Sequence, residues 1–293
     1  MDRMQLRAFA KINLGLDVLR RREDGYHEVK MIMQTIRMYD QIEIRRTSGA
    51  EIQVFTNLSY LPTNNNNLVY KAAKLLKDEF SINQGIAIDL KKFIPVSAGM
   101  AGGSSDAAAV LYGVNRMFHL GLSQEELMER GVKIGADVPY CILRGTALAE
   151  GIGEKLTALL PMPDCRILIA KPGISVSTRT VYENLHADKI EEHPDVDGMC
   201  RALEERDLKG LAALMENGNV LERVTIPMYP VIEKIKEFLK AQGALSALMS
   251  GSGPTVFGIF DDPAAARRAY LRLKKQNLAK QIFLTEPYNR RIV

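Results

Sequence analysis

Cysteine is scarce in this chain: Cys141, Cys165 and Cys200 stand far apart, and no Cys-x-x-Cys pair occurs. An odd, sparse set argues against a disulfide framework and against a structural zinc site, and it fits a reducing compartment. Long apolar runs are missing too. Nothing reaches the roughly 18 uncharged residues needed to cross a bilayer, and the opening MDRMQLRAFAKINLGLDVL lacks the continuous apolar stretch of a secretory signal. A cytoplasmic protein with no membrane partner is therefore expected. Charge of one sign is not concentrated either. The net charge is +4, and its basic residues are scattered rather than interleaved with aromatics. That distribution argues against nucleic acid and suits an anionic small molecule. Low-complexity tracts, fixed-period repeats and coiled-coil heptads are all absent, so the sequence specifies no oligomeric state.

What is present is a globular composition, 46% hydrophobic and 25% charged, which excludes a disordered or fibrous chain, in 293 residues, enough for two domains. From Leu6 to Val18 the even positions are Leu, Ala, Ala, Ile, Leu, Leu, Val and the odd ones include Lys11, Asn13 and Asp17. Period-2 alternation of this kind predicts a strand with one buried face, from whose other face Lys11 and Asn13 project together. RREDGYH at 21–27 holds an Asp-Gly turn signal before a second apolar run, Val29 to Ile36, and IEIR at 42–45 is a further strand candidate. Helices are expected over LVYKAAKLLKDEF after the Asn64–Asn67 break, from about Ser105 to Phe118, and after Ser123, where Glu126 completes a capping box. CILRGTALAEG reads as short strand pieces. Two prolines in LLPMPDCR place a domain boundary near residue 160, dividing the chain into 1–160 and 161–293. Beyond it, ILIAKP, TVFGIF and IFLTEP read as strands and 199–242 and 263–275 as largely helical. Strands and helices mix without strict alternation, so the class is α+β with two lobes.

The segment IPVSAGMAGGSSDAAAVLYG, 94–113, puts an unusual amount of bare backbone at the mouth of a helix. A helix start carries unpaired N–H groups and partial positive charge, which phosphate satisfies well. Gly99, Gly102 and Gly103 clear the approach, and Ser104 and Ser105 add hydroxyl donors. Neither the Walker A pattern nor GxGxxG fits, because Gly103 is followed by Ser-Ser-Asp. A plain strand-to-helix turn with close packing is the competing explanation. Asp106, in the first helical turn on this reading, either complements the dipole or serves the site.

PVSAGMAGGSSDAA resembles the phosphate-binding motif of the GHMP small-molecule kinases, and AKINLGLDVLRRREDGYHEV and MSGSGPTVFGIF occupy the places of that superfamily's first and third motifs. Lys-Ile-Asn-Leu followed by DGYH and MQTI, with GADVPYCILRGTALAEGIGE, is similar more narrowly to the branch that phosphorylates 4-diphosphocytidyl-2-C-methyl-D-erythritol in the non-mevalonate route to isoprenoids. The resemblance runs from about Phe9 to Phe260. The chain departs from the family at two points: Ala101 stands where the loop commonly has Gly, and Glu23 where RRxDGYH usually has Pro.

The resemblance implies an α+β, two-lobed GHMP-kinase-like fold with the active site in the cleft between lobes. It implies ATP and Mg2+ as cofactors and a small-molecule substrate with a cytidine diphosphate moiety. Asp137, in GADVPY, would accept the hydroxyl proton, with Lys11 beside it as an ammonium that favours the ionised carboxylate. Without the family, Asp137 reads as a turn or cap residue and Lys11 as a solvated strand residue. The nucleotide would take the loop Pro95, Val96, Ser97, Ala98, Gly99, Met100, Ala101, Gly102, Gly103, Ser104 and Ser105, with Asn67 and Leu68 on the adenine side. Substrate contacts would be Asn13, Tyr26 and His27, with Tyr182 completing an aromatic stack or simply packing. No Asp/Glu cluster defines a protein cage for the metal, which phosphates and water would then hold, with Ser104 or Ser105. GSGPT, 251–255, is either a further loop at the site or a tight turn. His119, His186 and His193 have no partner pattern and are expected at surfaces or caps, and EEHPDVD, 191–197, is expected as a loop. Homoserine or a mevalonate derivative is the alternative acceptor, and a catalytically silent ligand sensor is the alternative of another class.

Overall fold

The computed structural model describes residues 2–289. Its contacts group into two units, one formed by Met1–Ala10, Met38–Val96 and Ala101–Leu143 and the other by Lys11–Arg37, Ser97–Met100 and Arg144–Val293. This division does not follow the expected single boundary near residue 160. The physical reason is length: β1 (Arg3–Arg21) and β2 (His27–Thr47) each supply residues to both units. No glycine or proline lies between Val29 and Ile44, so the two apolar runs expected as separate strands form the single strand β2.

In the first unit, the C-terminal half of β2 runs antiparallel to β4 (Gly85–Lys91), with Gln41 opposite Lys91 and Thr47 opposite Gly85. β3 (Ile52–Thr56) lies parallel to β4 on its other side. Helix α1 (Leu68–Glu79) packs on α2 (Gly102–Phe118), which buries Ala107, Val110, Leu111 and Val114 as the 3.6-residue period requires. Gly113 lets α2 settle on the strands, since a Cβ there would lie 2.7 Å from Leu6 Cδ1. α3 (Gln124–Val132) has the expected capping box, with Ser123 Oγ accepting from the Glu126 amide at 3.2 Å and the Glu126 carboxylate accepting from the Ser123 amide at 2.8 Å. Cys141 to Leu143, expected in a strand piece, instead belong to α4 (Val138–Leu143). Pro139 sits in that helix's first turn, where its missing N–H costs nothing.

In the second unit, the N-terminal half of β2 pairs antiparallel with β5 (Thr146–Glu150), which pairs in turn with β6 (Lys155–Ala158). A second sheet is wholly antiparallel in the order β10-β7-β9-β8. Its strands are β7 (Arg166–Lys171), β8 (Ser246–Met249), β9 (Val256–Phe260) and β10 (Gln281–Thr285). Between β7 and β8 the chain is helical, as α5 (Thr178–Asn184), α6 (Val196–Glu204), α7 (Leu208–Leu214), α8 (Glu222–Met228) and α9 (Val231–Ala241). α10 (Pro263–Leu273) then packs on β7, β9 and β10. Among the described residues no helix is long and apolar enough to cross a membrane.

β1 departs from expectation in one respect that matters for the site. Its polar face is covered as well as its apolar one, and Lys11, Asn13 and Asp17 are all buried. Two contacts within the second unit account for this. A Cβ on Gly15 would lie 2.5 Å from Met199 Sδ of α6, and His193 Nδ1 lies 2.8 Å from Asp17 Oδ1.

Candidate active site

Among the described residues six helices begin on a side-chain cap, supplied by Asn67, Ser123, Ser177, Asp195, Asp207 and Asp262. α2 does not. Its N-cap is Ala101, in the left-handed region at φ 52°, and no side chain accepts from its first turn. The first amide to find a carbonyl in the ordinary helical pattern is that of Ser105, which donates to Ala101 O at 2.9 Å. The amides of Gly102, Gly103 and Ser104 thus lead a 17-residue helix with no cap of their own, the arrangement that an anion completes. The helix begins three residues earlier than expected, so Asp106 is not in its first turn.

Bare backbone in the loop serves different ends at different glycines. Gly99, at φ +70°, needs to be glycine because a Cβ would run into the Ser250 carbonyl. Gly102 is packed from below, where a Cβ would lie 3.1 Å from Lys92 Nζ and 3.0 Å from Ile94 Cγ2. Only Gly103 is exposed and open, with Leu68 Cδ1 as its sole neighbour at 3.4 Å. The side chains of Pro95, Ala98, Met100 and Ser105 are buried, Val96, Ala101 and Ser104 are half-buried, and Ser97 is exposed. The buried Ser105 hydroxyl is therefore a poorer candidate for a phosphate or metal contact than that of Ser104.

Asp106 is buried and ion-paired, 2.7 Å from Lys92 Nζ, and the same ammonium pairs with buried Asp40. Its carboxyl is pushed well above the usual range by burial, which outweighs the Lys92 ammonium that pulls it down. Lys92 is itself pulled down by burial, but the two carboxylates offset this and leave it raised. Sequence reading missed Lys92 and Asp40. They lie 14 and 66 residues from Asp106, and no motif couples them.

In the second unit, Lys11 Nζ donates to Asn13 Oδ1 at 2.7 Å, and the Lys11 amide donates to Met100 O at 3.2 Å. Adjacent odd positions of one strand thus bring together two of the predicted residues. The GSGPT turn is knitted to the same loop. Ser250 Oγ donates to Gly99 O at 2.8 Å, and a Cβ on Gly251 would lie 3.5 Å from Asn13 Oδ1. Asn219 secures this turn from behind, its Nδ2 donating to Met249 O and Gly251 O at 2.8 Å each. Lying outside every quoted motif, Asn219 gave no sequence signal.

His27 and Tyr182 are brought together, their ring centroids 5.0 Å apart and tilted by 43°. Burial, and then Arg21, lower the His27 pKa from its usual 6.5, which favours the neutral imidazole. Tyr26 is exposed. Elsewhere the outcomes vary. Asn67 uses both ends of its amide within the protein, capping α1 through Val69 N at 3.1 Å and donating to Pro62 O at 2.7 Å. Asp137 immediately precedes α4 in the first unit, and its carbonyl accepts from the Cys141 amide at 3.1 Å. His119 and His186 are cap residues, and His193 lies at the surface, as expected, where it pairs with Asp17. Within EEHPDVD, Asp195 caps α6 and Asp197 pairs with Lys30 at 2.7 Å, so the stretch is structured. Among the described residues no three His, Cys, Asp or Glu side chains cluster as a metal site.

Residues 67–145 match the family described as GHMP kinases N terminal domain, and residues 199–279 match GHMP kinases C terminal. A 4-diphosphocytidyl-2-C-methyl-D-erythritol kinase of Lachnoclostridium phytofermentans is 58% identical over 285 residues, covering 97% of each chain. A solved 4-(cytidine 5'-diphospho)-2C-methyl-D-erythritol kinase is 30% identical with a TM-score of 0.82, covering 98% of this chain and 100% of that one. Homoserine kinase from Cytophaga hutchinsonii, at 20% identity and a TM-score of 0.76 over 98% of this chain and 94% of that one, shares the fold.

Proposed function

The chain belongs to the GHMP kinases, in the group that phosphorylates 4-diphosphocytidyl-2-C-methyl-D-erythritol, and from that premise we propose that it transfers the γ-phosphate of ATP to the 2-hydroxyl of that compound. We place the reaction in the cytoplasm, in the supply of isoprenoid precursors by the non-mevalonate route. The observation that carries the choice of acceptor is the pairing of His27 with Tyr182. A neutral imidazole and a phenol ring held together suit a pyrimidine base, by stacking and by ring N–H donation. Homoserine and mevalonate have no base to stack.

Phosphoryl transfer to an alcohol asks for little covalent chemistry from the protein and much positioning and charge. The uncapped amides of Gly102, Gly103 and Ser104 are assigned to the nucleotide phosphates, with Leu68 and Asn67 on the adenine side. Asp137 takes the proton of the 2-hydroxyl as its oxygen bonds to the γ-phosphorus and the bond to ADP breaks. Lys11, oriented by Asn13, supplies an ammonium that meets the negative charge of the transferring group. Asn13, Tyr26, His27 and Tyr182 hold the substrate. Ser104, the more exposed of the two hydroxyls at the helix start, would reach a Mg2+ brought by ATP, and that ion would supply neutralisation of phosphate charge.

Release of ADP in the presence of ATP and the cytidine substrate tests the proposal directly. Asp137→Asn is expected to lower kcat by about 10²–10⁴-fold while ATP binding survives. Full turnover by that variant would remove Asp137 from the mechanism. Titration with CDP separates the acceptors, since tight binding supports a cytidine substrate and indifference supports homoserine or a mevalonate derivative.

A further inference from the structure

Lys92 stands at an unusual place. Its backbone is clamped by Asn57, whose Oδ1 accepts from Lys92 N at 2.8 Å and whose Nδ2 donates to Lys92 O at 3.2 Å. The amides of Phe93 and Ile94 both donate to Asp40 Oδ1, at 2.5 and 2.8 Å. From this fixed segment, which leads into the glycine loop, the Lys92 side chain reaches across to the residues that leave it. Its Nζ meets Asp106 Oδ2 and lies where a Cβ on Gly102 would touch it. One ammonium therefore ties the entry of the loop to its exit.

The electrostatics are odd for a purely structural contact. A cation beside the first residue of a helix adds to the positive end of the dipole, an unfavourable placement unless anions are near. Asp40 and Asp106 provide compensation from within the protein. Burial resists a second negative charge at Asp106, whose Oδ1 has no hydrogen-bond partner. The cluster thus opposes becoming an anionic floor beneath an anion site.

We propose that Lys92, braced by Asp40 and Asp106, is a positioning residue for the nucleotide, fixing Gly102 at the start of α2 and lending positive potential to bound phosphates. The inference rests on the reading that this helix start takes the phosphates of ATP. It assigns Lys92 no contact with the acceptor alcohol, so its effect belongs to ATP alone.

The test compares Lys92→Met with a charge-free triple variant, Lys92→Met, Asp40→Asn and Asp106→Asn, by ATP titration, KM for each substrate and thermal unfolding. Lys92→Met is expected to weaken ATP binding about tenfold, the effect of one nearby charge at a helix start, and to leave KM for the cytidine substrate within about twofold. The triple variant, free of unpaired buried charge, is expected to recover thermal stability while ATP binding stays weak. Recovery of ATP affinity together with stability would overturn the proposal, as would a folded Lys92→Met with unaltered affinity. Should Lys92→Met not fold, the triple variant is compared with the unaltered protein instead. A loss of ATP affinity of about threefold or more supports the proposal, and a smaller change overturns it. An unaltered protein that binds ATP but leaves the cytidine substrate untouched refutes the acceptor, with the affinities still deciding the role of Lys92. One that binds no ATP overturns both.

Discussion

Gly99 shows how much a single methyl group can cost. Its φ of +70° is one that a side chain strains to adopt, and a Cβ there would run into the Ser250 carbonyl, a backbone atom unable to swing aside. Gly99→Ala is therefore expected to destabilise the protein by roughly 2 kcal/mol or more, measured by denaturant unfolding, because both penalties fall on the folded state. Ala101 makes an instructive contrast. It occupies the left-handed region at φ 52° although the related motif commonly has glycine, so here a residue with a methyl holds the conformation that starts α2. Cysteine follows its scarcity. Cys141 and Cys165 are buried, and burial pushes the Cys165 thiol up to about 12, so it behaves as a packing residue.

Among the elements, the GSGPT turn depends most on a residue remote in sequence. Asn219 donates to Met249 O and Gly251 O and accepts from Leu221 N at 3.0 Å, all with its side chain buried. Asn219→Ala leaves those backbone groups without their partner, and a loss of roughly 2–3 kcal/mol is expected in equilibrium unfolding, accompanied by lower turnover because Ser250 and Gly99 are joined through this turn. Elements with strong local signals were legible before the structure. Period-2 alternation located β1, the Ser123 and Glu126 pair located α3, and the glycine run located the start of α2 to within three residues. What escaped were features set by distant partners. The fused β2 reads as two strands in the sequence because the polar residues between its apolar runs resemble a break. The C-terminal half of α4, Cys141 to Leu143, reads as strand because a helix of six residues with Pro139 holds too little periodicity to identify. At the site, motif residues such as Lys11, Asn13 and His27 could be named from the sequence. Lys92, Asp40, Asn219 and the His193–Asp17 pair could not, since charge pairing across a fold leaves no spacing in the chain.

At the scale of the whole molecule, the chain crosses between its two units at residues 10–11, 37–38, 96–97, 100–101 and 143–144. Neither unit is a continuous stretch. β1 and β2 are shared property, and even the four residues Ser97–Met100 belong with a unit otherwise built largely from the C-terminal half. A gene cut once, at residue 160, would deliver two polypeptides, the later of which lacks the β1 residue Leu16, whose backbone bonds Gly218 and Val220, and the loop backbone that Ser250 grips. Expressed alone, 161–293 is expected to give no cooperative melting transition by circular dichroism, whereas mixing it with 1–160 should restore one. Evolution by swapping whole halves is closed to such an architecture, and novelty has to enter by substitution or by loop growth within an intact chain.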